Sequence, residues 1–110
     1  MDLFFAPLEG LTDAVYRRVH HACFGGVDQY YMPFISPSRS LSFTSRQQAD
    51  ISPRENAGVP AVPQVLANNA EYFLDMAKLL CDAGYREVNL NLGCPSGTVT
   101  AKGKGAGMLR

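Results

Sequence analysis

The 110-residue chain has no tryptophan, no CxxC pair among its three cysteines, and no surplus of either charge, since ten Lys and Arg are matched by ten Asp and Glu. Balanced charge removes any whole-molecule attraction to nucleic acid and leaves only a local patch to supply one. Cys23, Cys81 and Cys94 are odd in number and widely spaced. That fits reduced cytosolic thiols better than a disulfide framework or a zinc site, so no metal ligand set is expected. No apolar run approaches the length of a membrane span. The opening MDLFFAPLEG lacks the basic start and long apolar stretch of a signal peptide. The expectation is a cytoplasmic chain with no membrane partner. The Walker pattern and GxGxxG are missing too. The segment KGKGAG from Lys102 to Gly107 is therefore only loosely similar to a phosphate cradle, and its lysines suit RNA phosphate, nucleotide phosphate or plain solvent equally well.

The residues that are present alternate between two periods. Leu3–Leu8 reads as a short buried strand closed by Pro7 and Gly10. Thr12 is the expected N-cap of DAVYRRVHHACF, with Leu11 and Tyr16 placed for a hydrophobic staple. Val15, Val19, Ala22 and Cys23 form its apolar stripe, Gly25 and Gly26 its stop, and His20 and His21 are read as surface or packing residues. Asp28–Ile35 is a second strand, rich in aromatics. Ser36–Pro60 has no sustained period and reads as a long loop with one helical turn near Ser45–Ala49. Loops of that length in compact domains are more often functional or mobile than idle. Ala61–Ala67 is a third strand despite Pro63; Asn68 and Glu71 suggest a capping box for AEYFLDMAKLLCDA, and Phe73, Met76, Ala77 and Leu80 recur at helical spacing before Gly84. Glu87–Leu92 is a fourth strand. Cys23 and Cys81 fall on helical stripes and are expected to be inert packing residues.

A βα alternation implies parallel strands joined by crossovers. In the fourth strand Val88, Leu90 and Leu92 share one face, while Asn89 and Asn91 share the other. A doubly wound sheet covers both faces with helices and wants both apolar. One apolar and one amide-lined face suits a barrel, and Gln64 in the third strand fits the same pattern. The expected fold class is α/β, a parallel (β/α)8 TIM barrel, of which the chain covers about the first four βα units; such barrels take about 250 residues. A half barrel would leave open sheet edges, through which self-association is expected.

In such folds the chemistry gathers at the carboxyl ends of the strands. APLEG, PFISPSR, Gln64 and NLGCPSG all fall there. Cys94 has several possible roles. A nucleophile lacks a following His, and a metal ligand lacks partner cysteines. An ordinary thiol, with a pKa near about 8.5, is mostly protonated at neutral pH and can serve as a general acid. That role needs Lys102 and Lys104 turned outward, because nearby cations favour thiolate. A buried, inert cysteine is the plain alternative. Arg39, Arg46 and Arg54 in the long loop are too dispersed to define a polyanion site.

APLEGLTD near the start, PQVLAN in the middle and VNLNLGCPSGTVTAKGKGAGMLR at the end together resemble the tRNA-dihydrouridine synthase family, in order and over nearly the whole chain. Leu8 departs from the family, which usually has Met there. The resemblance implies an FMN-dependent barrel with a small helical tRNA-binding domain, in which residues 1–110 are the N-terminal part of the barrel. It implies reduction of uridine in tRNA to 5,6-dihydrouridine, with NADPH as reductant, hydride delivered to C6 and a cysteine protonating C5. By motif that cysteine is Cys94. Pro7, Leu8 and Glu9 match the segment against the flavin, Gln64 the amide on the isoalloxazine edge, and Asn91 the residue near the uracil. The fragment alone is expected to be inactive, because the flavin-phosphate loops of the family come later. A dihydroorotate-dehydrogenase-like oxidoreductase and a non-catalytic half barrel are the competing readings.

Overall fold

The structure, a computed structural model, describes residues 1–109. Four passes of chain run parallel and lie side by side in sequence order. β1 (Phe4–Phe5) pairs with β2 (Gln29–Tyr31), and β2 with β3 (Ala61–Val62). Pro63 cannot donate to a ladder, and it divides the third pass into β3 and β4 (Gln64–Val65). The pass is nonetheless continuous. Met32 N–H donates to Val62 O and Ile35 N–H to Gln64 O on one side, and Asn89 N–H donates to Pro63 O on the other. β4 pairs with β5 (Asn89–Leu90), with Gln64 opposite Asn89. This is the mixed α/β arrangement with parallel strands that the alternating pattern requires.

The helices attach in two different ways. α3 (Ala70–Asp82) buries Met76 and Leu80 against Met32, Ile35, Ile51 and Val65, as its spacing predicts. Full burial of such side chains stabilises by about 1.5–3 kcal/mol each. It ends in a Schellman motif: Gly84, at φ 109°, and Tyr85 donate to Cys81 O and Leu80 O. Its N-cap is Asn69, whose side chain accepts from Tyr72 N–H, rather than Asn68 in a capping box with Glu71. Asn68 is used elsewhere, donating to Lys102 O at 2.8 Å.

α1 (Ala14–Phe24) departs from expectation. Its cap is Asp13, which accepts from Tyr16 N–H, and the predicted stripe of Val15, Val19, Ala22 and Cys23 is exposed. The opposite face turns inward with Arg17 fully buried. The guanidinium is satisfied there. It donates to Thr12 O, to Asp50 O and Oδ1, and to Asn56 Oδ1, and Asn56 in turn donates to Asp50 O and Ser52 O. All of these partners except Thr12 belong to the long loop. The loop carries α2 (Ser45–Asp50), where a helical turn near Ser45–Ala49 is expected, with a capping box of Thr44 and Gln47. Tyr85 completes this junction by donating to Ile51 O at 2.7 Å, and burial pushes its phenol up from the ordinary value. His20 packs among Phe5, Phe24 and Tyr30, with its Nδ1 2.8 Å from Tyr30 Oη. Cys81, like Cys23, is exposed instead of packed.

Candidate active site

The carboxyl end of the sheet is organised by side-chain amides. β4 and β5 set Gln64 directly opposite Asn89, and the period of two returns Asn91 to the same face. Asn91 Oδ1 accepts from the N–H groups of Gly93 (3.1 Å) and Cys94 (2.9 Å). Asn91 Nδ2 donates to Gln64 Oε1 at 2.9 Å, and Gln64 Nε2 donates to Asn89 Oδ1 at 2.9 Å. A continuous polar chain therefore links the interior of the sheet to the turn that carries Cys94. Gln64 is buried, Asn89, Asn91 and Cys94 half-buried.

The turn after β1 faces this row. Thr12, buried and expected to cap α1, instead closes the APLEG loop. Its Oγ1 accepts from Leu8 N–H at 2.8 Å and donates to Leu8 O at 3.2 Å, and Leu8 O also accepts from the N–H groups of Leu11 and Thr12. Gly10 takes φ 83° to make the turn. Between the two turns lies an open cavity of about 710 Å³. All six residues singled out in the sequence line it: Pro7, Leu8, Glu9, Gln64, Asn91 and Cys94. Pro33 and Phe34, after β2, add apolar wall. A separate cleft of about 490 Å³ between α1 and α2 holds none of them. Lys104 is engaged by Ser36 Oγ at 2.8 Å, and Lys102 is exposed.

The family model for dihydrouridine synthase (Dus) matches residues 4–110. The chain belongs to the dihydrouridine synthase family. Among curated proteins it is 34% identical to the tRNA-dihydrouridine(16) synthase of Pseudomonas putida over 119 residues, covering 100% of this chain and 35% of that protein. It is 32% identical to the enzyme of the same name from Aquipseudomonas alcaligenes, covering 100% of this chain and 36% of that protein. A probable tRNA-dihydrouridine synthase of Staphylococcus epidermidis is 30% identical, with 94% of this chain and 32% of that protein covered. The chain thus spans about a third of the length of the curated relatives it matches.

Within this dihydrouridine synthase sheet, three polar contributors are not among the site residues expected from the sequence. Asn89 shares a face with Asn91, and that alternation was the available signal for it. Thr12 carries the standard signature of a helix cap, so nothing local marked its tie to Leu8. Asn68 holds the KGKGAG segment through the Lys102 carbonyl, a contact across 34 positions of sequence. Among the described residues no helix is long and apolar enough to cross a membrane.

Proposed function

We propose that residues 1–110 form the N-terminal part of an FMN-binding (β/α)8 catalytic barrel that reduces uridine in tRNA to 5,6-dihydrouridine in the cytoplasm, with NADPH as reductant. The observation that carries this reading is the cavity whose lining brings together Cys94 and the Asn89–Gln64–Asn91 row. Family membership and the parallel strand order support it. So does the apolar surface left at both sides of the sheet: Leu3, Phe4, Val15 and Val19 near β1, and Leu74, Leu90, Leu92 and Met108 near β5. Further βα units closing a barrel would cover both; in their absence, the same surfaces favour self-association.

The donor set fits the ring end of FMN. Asn89 Nδ2 and the second protons of Gln64 Nε2 and Asn91 Nδ2 have no partner among the described residues. They offer N–H groups to the carbonyl and ring-nitrogen acceptors of a flavin or pyrimidine edge. Pro7, Leu8, Pro33 and Phe34 supply an apolar surface for a flat ring. The cavity lining contains no Lys or Arg, so in this reading the phosphate is held by other parts of the protein. When bound and reduced by NADPH, FMN supplies the hydride that reaches C6 of the uracil.

The chain's own residues do the rest. Gln64 and Asn89 orient the ring edge, and Glu9, Pro7 and Leu8 border it. Asn91 bonds the N–H of Cys94 and so fixes the turn that bears the thiol. The Cys94 thiol gives its proton to C5 as C6 gains the hydride pair, which balances the two-electron reduction; the thiolate regains a proton from water. The target base must leave its stack to enter such a cavity.

The test is Cys94→Ala in the full-length protein. NADPH should still reduce the flavin, while dihydrouridine formation in tRNA falls by about 100-fold or more, on the scale of general acid catalysis. Equal loss of both steps would make Cys94 structural. Position 16, for which two of the relatives are named, is the first uridine to score.

A further inference from the structure

The KGKGAG segment contributes nothing to the lining of the cavity. Its glycines are occupied by the protein itself. Gly105 is buried at φ 56°. A Cβ there would stand 2.7 Å from Cys94 O, 3.0 Å from Val99 Cγ1 and 3.1 Å from Cys94 Cβ. The next residue, Ala106, donates its N–H to the same Cys94 oxygen at 3.1 Å. Since Cys94 N–H is held by Asn91 Oδ1, both backbone polar groups of Cys94 are tied, one to the amide row and one to this segment. The segment is anchored in turn to the ends of two strands: Asn68 Nδ2 donates to Lys102 O, and Lys104 Nζ donates to Ser36 Oγ, each at 2.8 Å. Gly107 is also crowded, but by Thr100 O at 2.8 Å and Thr100 Cα at 3.0 Å, and not by Cys94.

We infer that Gly105 is a positioning residue for Cys94: its missing Cβ and the adjacent Ala106 N–H form a backbone seat that sets the height of the thiol over the cavity. The inference rests on the reading of Cys94 as proton donor. A methyl group at residue 105 must displace the Cys94 carbonyl or its Cβ, because neither is the far end of a flexible side chain. Displacing a reacting group by about 1 Å can cost about 100-fold in rate.

The experiment compares Gly105→Ala with Gly107→Ala in the full-length, flavin-loaded protein. Gly105→Ala is expected to slow uridine reduction at saturating tRNA by about 10- to 100-fold, with the KM for tRNA and flavin reduction by NADPH close to wild type. It should also change the rate at which iodoacetamide alkylates Cys94, a readout that needs no turnover. Gly107→Ala should change neither quantity selectively. Wild-type alkylation and uridine reduction in Gly105→Ala overturn the seat, as does a uniform loss of all steps in both variants. If Gly105→Ala does not fold, Val99→Ala decides, since it loosens the same seat without a clash: a several-fold loss confined to uridine reduction supports the inference, and unchanged rates overturn it. Normal uridine reduction in Cys94→Ala would instead remove the proton-donor reading, leaving the alkylation rates to judge the seat alone.

Discussion

α1 and α3 carry apolar stripes of similar appearance, yet the fold uses them oppositely. α3 turns its stripe into the core and buries Met76 and Leu80. α1 turns its stripe outward and buries a guanidinium. The difference lies in what waits on the other side. Behind α3 lie Met32, Ile35 and Val65 of the sheet and Ile51 of the loop, all apolar. Behind α1, at Arg17, the long loop offers the carbonyl and carboxylate of Asp50 and the amide of Asn56. A buried charge is tolerated when every donor finds a partner. Helical periodicity identifies two faces; the neighbour decides which one is inside.

That contrast can be broken most severely at Arg17. Arg17→Ala leaves Asp50 and Asn56 without their donor and is expected to cost about 3–5 kcal/mol, read as a shift in the urea midpoint of the full-length protein. A loss under about 1 kcal/mol would mean the junction is plastic or water-filled. Leu80→Ala tests the apolar attachment and should cost about 3 kcal/mol with little salt dependence, which differential scanning in low and high salt will show. A strong salt effect there would put the two helices in one class. The smallest effect belongs to Val19→Ser. In the 110-residue chain it should change stability by less than about 0.5 kcal/mol. In a chain of the relatives' full length, where the proposed barrel would cover this stripe, the cost should rise to about 1–2 kcal/mol. Equal effects at both lengths would argue against closure over α1.

Much of the candidate site's geometry is legible in the sequence. The alternation of Asn89 and Asn91, the glutamine in the neighbouring strand and the cysteine at a strand's carboxyl end are local patterns, and the parallel register then brings them together. What was illegible depends on distant partners. Arg17 finds Asp50 and Asn56 at separations of 33 and 39 residues, and no helical period encodes that. Thr12 looks like a cap because caps and turn-closing threonines share a residue type; the side chain went to Leu8, and the neighbouring Asp13 took the cap. Asn68 and Asn69 are equally able caps, and the choice fell to Asn69 once Lys102 claimed its neighbour. The long loop carried turn chemistry in Thr44 and Gln47, a short signal easily lost in a serine-rich background.

The amide row has a consequence for selectivity. An asparagine or glutamine can usually turn over, exchanging its oxygen and nitrogen, and the choice has to be inferred from its surroundings. Here the turn makes that choice. The N–H groups of Gly93 and Cys94 can only donate, so Asn91 must present its oxygen to them and its nitrogen to Gln64; Gln64 must then offer its nitrogen to Asn89. Three side chains are locked into a single reading direction by two peptide groups outside the sheet. A molecular edge that meets this row encounters a fixed sequence of polarity, because no amide can turn over to suit it without giving up a bond that the turn already holds.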